Sequence, residues 1–162
     1  DKDLLFVPDE NLGQWVMEQT GRPMTLWQGN CYVHVEWTHA AITKIRDEYP
    51  DAPLVAHPEC KPEVTQLADY IGSTSQMMNF VKNTNHKEYV MLTECGLSSR
   101  LQLENPEKKF IGSCTMCKYM KSNRLEQILN ILESPNDTQE IKLNEDTISK
   151  AKKTMDAMFE YS

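Results

Sequence analysis

The first chemically capable pair in the chain is a cysteine and a histidine three residues apart, Cys31 and His34. They follow a short apolar run, residues 24–27, through a turn at Gly29 and Asn30. This order predicts that the thiol and the imidazole lie at the carboxyl end of a strand, where open α/β sheets bind ligands. The Cys-x-x-His spacing alone is weak evidence, because a buried cysteine beside an unrelated histidine is the more frequent arrangement.

A second polar group, His57 and Glu59, follows the apolar run 53–56 and flanks Pro58. Residues two apart in an extended segment point to the same side, so both side chains could face one site. A histidine beside a carboxylate can perform general acid–base chemistry. Either residue could equally well cap neighbouring backbone groups.

Three of the cysteines, Cys31, Cys114 and Cys117, are candidates for a metal centre. Cys114 and Cys117 have the Cys-x-x-Cys spacing of zinc sites, cluster sites and redox dithiols, and with Cys31 they could bind zinc or an iron–sulfur centre. Cys60 and Cys95 stand alone at predicted strand ends, and such cysteines are more often small buried residues than ligands. The odd total of 5 cysteines, without an export signal, favours reduced thiols over a disulfide framework.

Ser73 and Thr74 lie where a helix is predicted to begin. Backbone N–H groups and hydroxyls at such a position can hold a phosphate or a carboxylate. Ser73 and Gln76 also match the Ser-x-x-Gln capping box, and capping is the more common role of such a sequence.

Short apolar strands and amphipathic helices alternate along the chain and would position these groups. Strands are predicted at 4–7, 24–27, 53–56, 88–92 and 109–111. Helices are predicted from after Pro8 to a stop at Gly21, from the cap Thr38, from Pro62, from Ser73, through Leu97 and Leu101, through Leu125 and Leu132, and after the cap Asn144. This order predicts an α/β fold with parallel strands covered by helices. Expected buried helix positions are Val64, Leu67, Ala68 and Ile71, then Leu125, Ile128, Leu129 and Leu132, and finally Ile148, Ala151, Met155, Met158 and Phe159.

The composition fits one globular domain, or parts of two small ones, and excludes several functions. The 162 residues are 40% hydrophobic and 25% charged. The net charge of −7, with scattered basic residues, argues against nucleic acid and membrane surfaces as partners. No Gly-rich nucleotide fingerprint is present. The lack of a signal peptide predicts a cytoplasmic protein, and a strand so close to the first residue suggests a cut edge.

Several linked motifs resemble the quinolinate synthase family over essentially residues 4–162. The motifs are Val-Pro-Asp-Glu-Asn-Leu at 7–12, Gly-Asn-Cys-Tyr-Val-His at 29–34, His-Pro-Glu-Cys at 57–60, Gly-Ser-Thr-Ser-Gln-Met at 72–77, Thr-Glu-Cys-Gly-Leu at 93–97 and Cys-Lys-Tyr-Met-Lys at 117–121. Their order and spacing make the resemblance far more specific than any single motif.

The resemblance implies an enzyme of NAD biosynthesis. It condenses iminoaspartate with dihydroxyacetone phosphate to quinolinate, with loss of phosphate and water. It also implies parallel three-layer αβα sandwich domains in a pseudo-threefold, three-domain architecture. Three cysteines, one from each domain, hold a 4Fe–4S cluster whose open iron acts as a Lewis acid. Association with the aspartate-oxidising enzyme that supplies iminoaspartate is a further expectation.

The resemblance assigns a role to each candidate residue. Cys31 and Cys117 resemble the second and third cluster ligands. His34, His57 and Glu59 resemble the family's catalytic, substrate-facing acid–base residues.

Two further assignments follow from the same resemblance. Ser73 and Thr74 resemble the pair that holds a substrate carboxylate or phosphate. Cys117 is preferred to Cys114 as the ligand because the family's cysteine precedes an x-aromatic-Met segment, and Cys114 could pair oxidatively with Cys117.

Members of the family are longer than this chain, and their first cysteine lies upstream of anything present here. We therefore expect a C-terminal portion. Residues 1–30 would be the end of the middle αβα domain and 31–116 the third αβα domain. Residues 117–162 would be a C-terminal helical segment packing back on the absent first domain. The chain alone is expected to be inactive.

The alternative hypothesis is a non-catalytic, zinc-binding α/β interaction module. It would use Cys31, Cys114 and Cys117 as its ligands. The colour and the metal content of the purified protein separate it from the cluster hypothesis.

Overall fold

A computed structural model describes residues 3–112 and 115–161 of the chain. The chain forms two compact units, which are divided in sequence between Lys118 and Tyr119. The first unit contains the strands and most of the candidate site residues, and the second contains helices.

The first unit opens with a small parallel sheet of two strands and a helix. These elements are β1 (Leu5–Phe6), α1 (Glu10–Thr20) and β2 (Thr25–Leu26). Helix α1 begins after the cap Asp9 and ends at Gly21, whose φ of 65° is left-handed. It lies directly on the strands, because a Cβ at Gly13 would be 2.5 Å from the Leu26 side chain and 2.8 Å from that of Phe6.

Among the described residues, the main sheet has four parallel strands, and five helices accompany it. The strands are β3 (Leu54–Ala56), β4 (Tyr70–Ile71), β5 (Glu88–Leu92) and β6 (Lys109–Ile111), in the order β4-β3-β5-β6. The helices are α2 (Tyr32–Val35), α3 (His39–Glu48), α4 (Pro62–Thr65), α5 (Thr74–Asn83) and α6 (Cys95–Glu104). In the centre, Leu54 pairs with Val90 and Ala56 pairs with Leu92.

Both faces of the main sheet are covered, because successive strand residues point to opposite sides. One face packs strand residues against Trp37, α3 and α4: Leu54, Ala56, Val90 and Leu92 meet Trp37, Ile42 and Val64. The other packs against α5 and α6: Val55, Tyr89 and Met91 meet Met77, Val81 and Leu101. The predicted α/β fold with parallel strands is confirmed.

The helix that starts at Pro62 is shorter than the sequence predicts. It ends at Thr65, and Ile71 lies in the edge strand β4 instead of on a helical face. The reason is Asp69, whose carboxylate accepts the N–H of Leu54 at 2.8 Å and whose own N–H donates to the Leu54 carbonyl at 2.9 Å. These bonds join the chain to β3 before a second helical turn forms, so the prediction for Ile71 is wrong.

The second unit contains α7 (Leu125–Glu133) and α8 (Glu145–Phe159), with 3₁₀ turns at Met120–Ser122 and Asp137–Gln139. Asn144 caps α8, as predicted, by accepting the N–H of Thr147 at 2.8 Å. Within this chain the apolar stripes are not buried, contrary to the prediction, since Leu125 is 82% exposed and Phe159 is 66% exposed. Within the described residues, no helix is long and apolar enough to cross a bilayer.

Helix α6 offers a matched test of this core. Leu101 is 1% exposed and Leu103 is 84% exposed, two positions apart on one helix. We expect Leu101→Ala to lower the free energy of unfolding by about 3 kcal/mol, through lost burial and a residual cavity. Leu103→Ala should change it by less than about 0.5 kcal/mol. Urea unfolding measures both, and equal effects would contradict the described packing.

Candidate metal and acid–base site

Cys31 is positioned by the two loops that follow β1 and β2. The Asp9 carboxylate accepts the Cys31 N–H at 2.9 Å, and the Gly29 carbonyl accepts the Glu10 N–H at 2.8 Å. A Cβ at Gly29 would lie 2.5 Å from the carbonyl oxygen of Pro8, so only glycine allows the loops this approach. Cys31 thereby becomes the N-cap residue of α2, a four-residue helix that the sequence analysis did not predict.

Helix α2 carries His34 into a buried position where both ring nitrogens have partners. Nδ1 lies 2.9 Å from Oε2 of Glu59, and Nε2 lies 3.1 Å from Oγ1 of Thr93. The ring of His57 stacks on that of His34, with centroids 4.5 Å apart and planes inclined by 14°. The structure thus brings together the three predicted acid–base residues. Thr93 was not among the predicted site residues. Its place directly after the apolar run 88–92, at a predicted strand end, was the signal that could have indicated it.

The hydrogen bonds fix the tautomers of both histidines. A carboxylate only accepts, so Nδ1 of His34 carries a proton and donates to Glu59, and Nε2 is bonded to the Thr93 hydroxyl. Nδ1 of His57 accepts the N–H of Glu59 at 3.3 Å, which leaves the proton of a neutral His57 on Nε2. Within residues 3–112 and 115–161, this Nε2 makes no hydrogen bond, so it is the donor that can meet a ligand.

The pKa values of both Glu59 and His57 are lowered in the folded chain. The hydrogen bond from His34 is the main cause that holds the pKa of Glu59 below its usual value. Burial lowers the pKa of His57, and the neighbouring His34 lowers it further. At neutral pH the site therefore presents a carboxylate beside a neutral His57 imidazole.

The same group could hold a metal. Ligand atoms of Cys31, His34 and Glu59 all lie within 4.8 Å of one another, and thiolate, imidazole and carboxylate are zinc and iron ligands. Burial raises the pKa of the Cys31 thiol, and the charges of Glu59 and Cys117 raise it further. A bound metal cation would neutralise this concentration of negative charge. The donor set therefore fits a thiolate-ligated metal centre.

Cys117 lies beyond the carboxyl end of β6, where hydrogen bonds hold its backbone. Its N–H donates to Oε1 of Glu94 at 3.3 Å, and the next N–H, that of Lys118, donates to the Tyr32 hydroxyl at 2.6 Å. Tyr32 is the neighbour of Cys31, so these bonds draw the chain after β6 toward α2. The two predicted cluster cysteines are thereby near enough for one thiol to affect the pKa of the other.

The other predicted residues are placed differently. Ser73 and Gln76 form the predicted capping box, with bonds of 2.8 and 3.4 Å, and Ser73 and Thr74 are exposed after the edge strand β4. In the described part of the chain, neither hydroxyl hydrogen-bonds to the His34–Glu59 group. Cys114 lies outside the described residues, and so does its predicted pairing with Cys117.

The two solitary cysteines differ from each other. Cys60 is a core residue, 1% exposed, whose thiol donates to the Leu92 carbonyl at 3.4 Å. Burial raises the pKa of this thiol to about 12. The prediction of a small buried residue is confirmed for Cys60. Cys95 instead lies half-buried at the first position of α6.

The fold and the site define an α/β protein with parallel strands whose carboxyl edge carries a thiol–imidazole–carboxylate group. The sequence model of the family described as quinolinate synthetase A protein matches residues 1–160. The chain belongs to this family, which confirms the resemblance found in its motifs.

Individual proteins of the family are also similar to this chain. Proteins named quinolinate synthase from Trichodesmium erythraeum, Clostridium novyi and Prochlorococcus marinus are 37%, 39% and 39% identical to this chain. The matches cover 100%, 96% and 87% of this chain but 52%, 52% and 44% of the relatives. The chain therefore spans about half the length of these relatives.

Thiol labelling tests the difference between Cys60 and Cys31. The thiolate is the reactive form, so Cys60 should stay unmodified by iodoacetamide in the native chain at mildly alkaline pH. The half-buried Cys31, whose thiol is more accessible, should be alkylated faster than Cys60, and Cys60 only after addition of denaturant. Mass spectrometry of peptides reports both. Alkylation of Cys60 at the same rate with and without denaturant would contradict its place in the core.

Proposed function

We propose that this chain is the C-terminal portion of a quinolinate synthase acting in cytoplasmic NAD biosynthesis. The whole enzyme would condense iminoaspartate with dihydroxyacetone phosphate to quinolinate, with loss of phosphate and water. The proposal is supported chiefly by the convergence of Cys31, His34 and Glu59 in a chain that belongs to the family. Iminoaspartate could come from an aspartate-oxidising enzyme that associates with it.

Cys31 and Cys117 would be two of three cysteine ligands of a 4Fe–4S cluster. The third would come from the half of the family sequence that this chain does not cover. When bound, the cluster would supply a Lewis-acidic iron at the substrate. The donor set supports this assignment, because Cys31 lies with His34 and Glu59 and the Cys117 thiol is near enough to raise the pKa of the Cys31 thiol.

His34, His57 and Glu59 would bind substrate and perform its proton transfers. The neutral His57 can donate from Nε2 to a substrate oxygen, since its other nitrogen accepts the N–H of Glu59. The Glu59 carboxylate can accept a proton while it orients His34 through the 2.9 Å bond. The stacked rings of His34 and His57 keep the two imidazoles in a fixed relation.

Ser73 and Thr74 would hold a carboxylate or phosphate group of the substrate. They lie at the start of α5, where backbone N–H groups favour an anion. Their exposure leaves both hydroxyls accessible to a ligand.

The domain assignment is also a proposal. Residues 1–30 would complete the middle αβα domain, 31–116 would form the third, and 117–162 would pack on the first domain of a pseudo-threefold enzyme. The exposed apolar stripes of α7 and α8 support this, because such surfaces are normally covered. The chain alone would be inactive, and quinolinate formation by it after anaerobic cluster reconstitution would contradict the proposal.

Two substitutions in a full-length protein containing this chain separate ligand from substrate contact. Cys31→Ser should abolish the brown cluster, since a thiolate ligand is lost. His34→Ala should leave iron content unchanged while kcat/KM falls about 10²–10⁴-fold, the usual contribution of acid–base catalysis. Iron analysis and quinolinate assay measure these effects. Bleaching by His34→Ala as complete as by Cys31→Ser would refute the separate roles.

A zinc-binding interaction module is the second candidate, because cysteine, histidine and glutamate are all zinc ligands. Anaerobic purification distinguishes the two. A brown, oxygen-labile protein with iron and sulfide supports the cluster. A colourless protein with stoichiometric zinc supports the module and overturns the proposed enzyme.

A further inference from the structure

Each of the two cysteines proposed as cluster ligands is held by a carboxylate for which no sequence pattern predicted a role. Oδ2 of Asp9 accepts the N–H of Cys31 at 2.9 Å, and Oε1 of Glu94 accepts the N–H of Cys117 at 3.3 Å. The carboxylate precedes its cysteine by 22 residues in the first pair and by 23 in the second. The same contact therefore occurs twice, at nearly the same spacing.

The second oxygen of each carboxylate caps a helix. Oδ1 of Asp9 accepts the N–H of Leu12 at 2.8 Å in the first turn of α1. Oε2 of Glu94 accepts the N–H of Gly96 at 2.6 Å in the first turn of α6. Both helices begin just after a strand, so each carboxylate connects a fixed helix terminus to the loop that carries a cysteine.

Capping alone does not explain this arrangement. A helix cap needs one side-chain acceptor and is compatible with full exposure, as at Thr38, which caps α3. Asp9 is instead 3% exposed, and a carboxylate in such a place requires partners for both oxygens. The Cys31 N–H is the partner of the second oxygen. Burial of Asp9 therefore depends on the contact with the cysteine.

We infer that Asp9 and Glu94 are positioning residues that hold the backbones of Cys31 and Cys117 so that both thiolates meet one metal cluster. This inference rests on the proposed function. A thiolate ligand must occupy a defined point relative to the iron, and its Cα is one bond from the anchored nitrogen. Groups that orient metal ligands in this way typically contribute 10–100-fold to metal affinity.

Amide substitutions test the inference in a full-length protein that contains this chain. In Asp9→Asn and Glu94→Gln, one acceptor oxygen remains and can cap the helix, while the NH₂ group cannot accept the cysteine N–H. Asparagine caps helices as well as aspartate does. Thr38→Ala is the control, because it removes a cap that accepts the Ala41 N–H and is bonded to no cysteine.

The primary measurement is anaerobic release of iron to a chelator, followed by loss of cluster absorbance. We expect release to be about 10–100-fold faster in Asp9→Asn and in Glu94→Gln, with an altered electron paramagnetic resonance signal of the reduced cluster. Thr38→Ala should lower the unfolding temperature by about 2–4 °C and leave the release rate unchanged. Circular dichroism confirms folding of each variant, and Glu94→Gln decides alone if Asp9→Asn does not fold.

The outcomes separate the inference from the proposed function. If both amide variants release iron as slowly as Thr38→Ala while Cys31→Ser loses the cluster, the positioning role is wrong and the ligand assignment stands. If Cys31→Ser retains the whole cluster, the ligand assignment itself is wrong.

Discussion

The parallel pairing of β3 with β5 is the constraint on which the site depends. Because Ala56 lies opposite Leu92, the residues that follow, His57 and Thr93, leave the sheet side by side. The bond from the His57 N–H to the Leu92 carbonyl extends this pairing by one residue beyond the strands. Helix α2 then only has to present one imidazole between the two strand ends, and His34 does so with a nitrogen for each side.

The site concentrates groups that carry or can acquire negative charge. Its carboxylate and its thiols converge at one edge, and the histidine at position 57 is kept neutral by burial. A metal cation bound here would offset this negative charge. The carboxylates of Asp9 and Glu94 lie next to this site. Each follows a strand and accepts one N–H from a helix and one from a cysteine.

Local sequence patterns were sufficient to predict most helices and strands and the class of the fold. Helices begin after the capping side chains of Thr38, Ser73 and Asn144, and one ends at the left-handed Gly21. These signals act on residues close to them in sequence, so they can be predicted from the local sequence alone. Alternation of short apolar runs with amphipathic helices indicated parallel strands. The linked motifs identified the family, and their position after predicted strands placed the candidate groups at one edge.

Long-range contacts in the folded chain determine which of these groups lie together. His34 is hydrogen-bonded to Glu59, which lies 25 positions along the chain, and to Thr93, which lies 59 positions along it. No local pattern predicts contacts over such separations. Pairing with β3 converted the segment around Ile71 from predicted helix to edge strand, because long-range hydrogen bonds outweighed its helical periodicity. The stripes of α7 and α8 were correctly read as apolar, but burial depends on what lies opposite them, and periodicity describes only one surface.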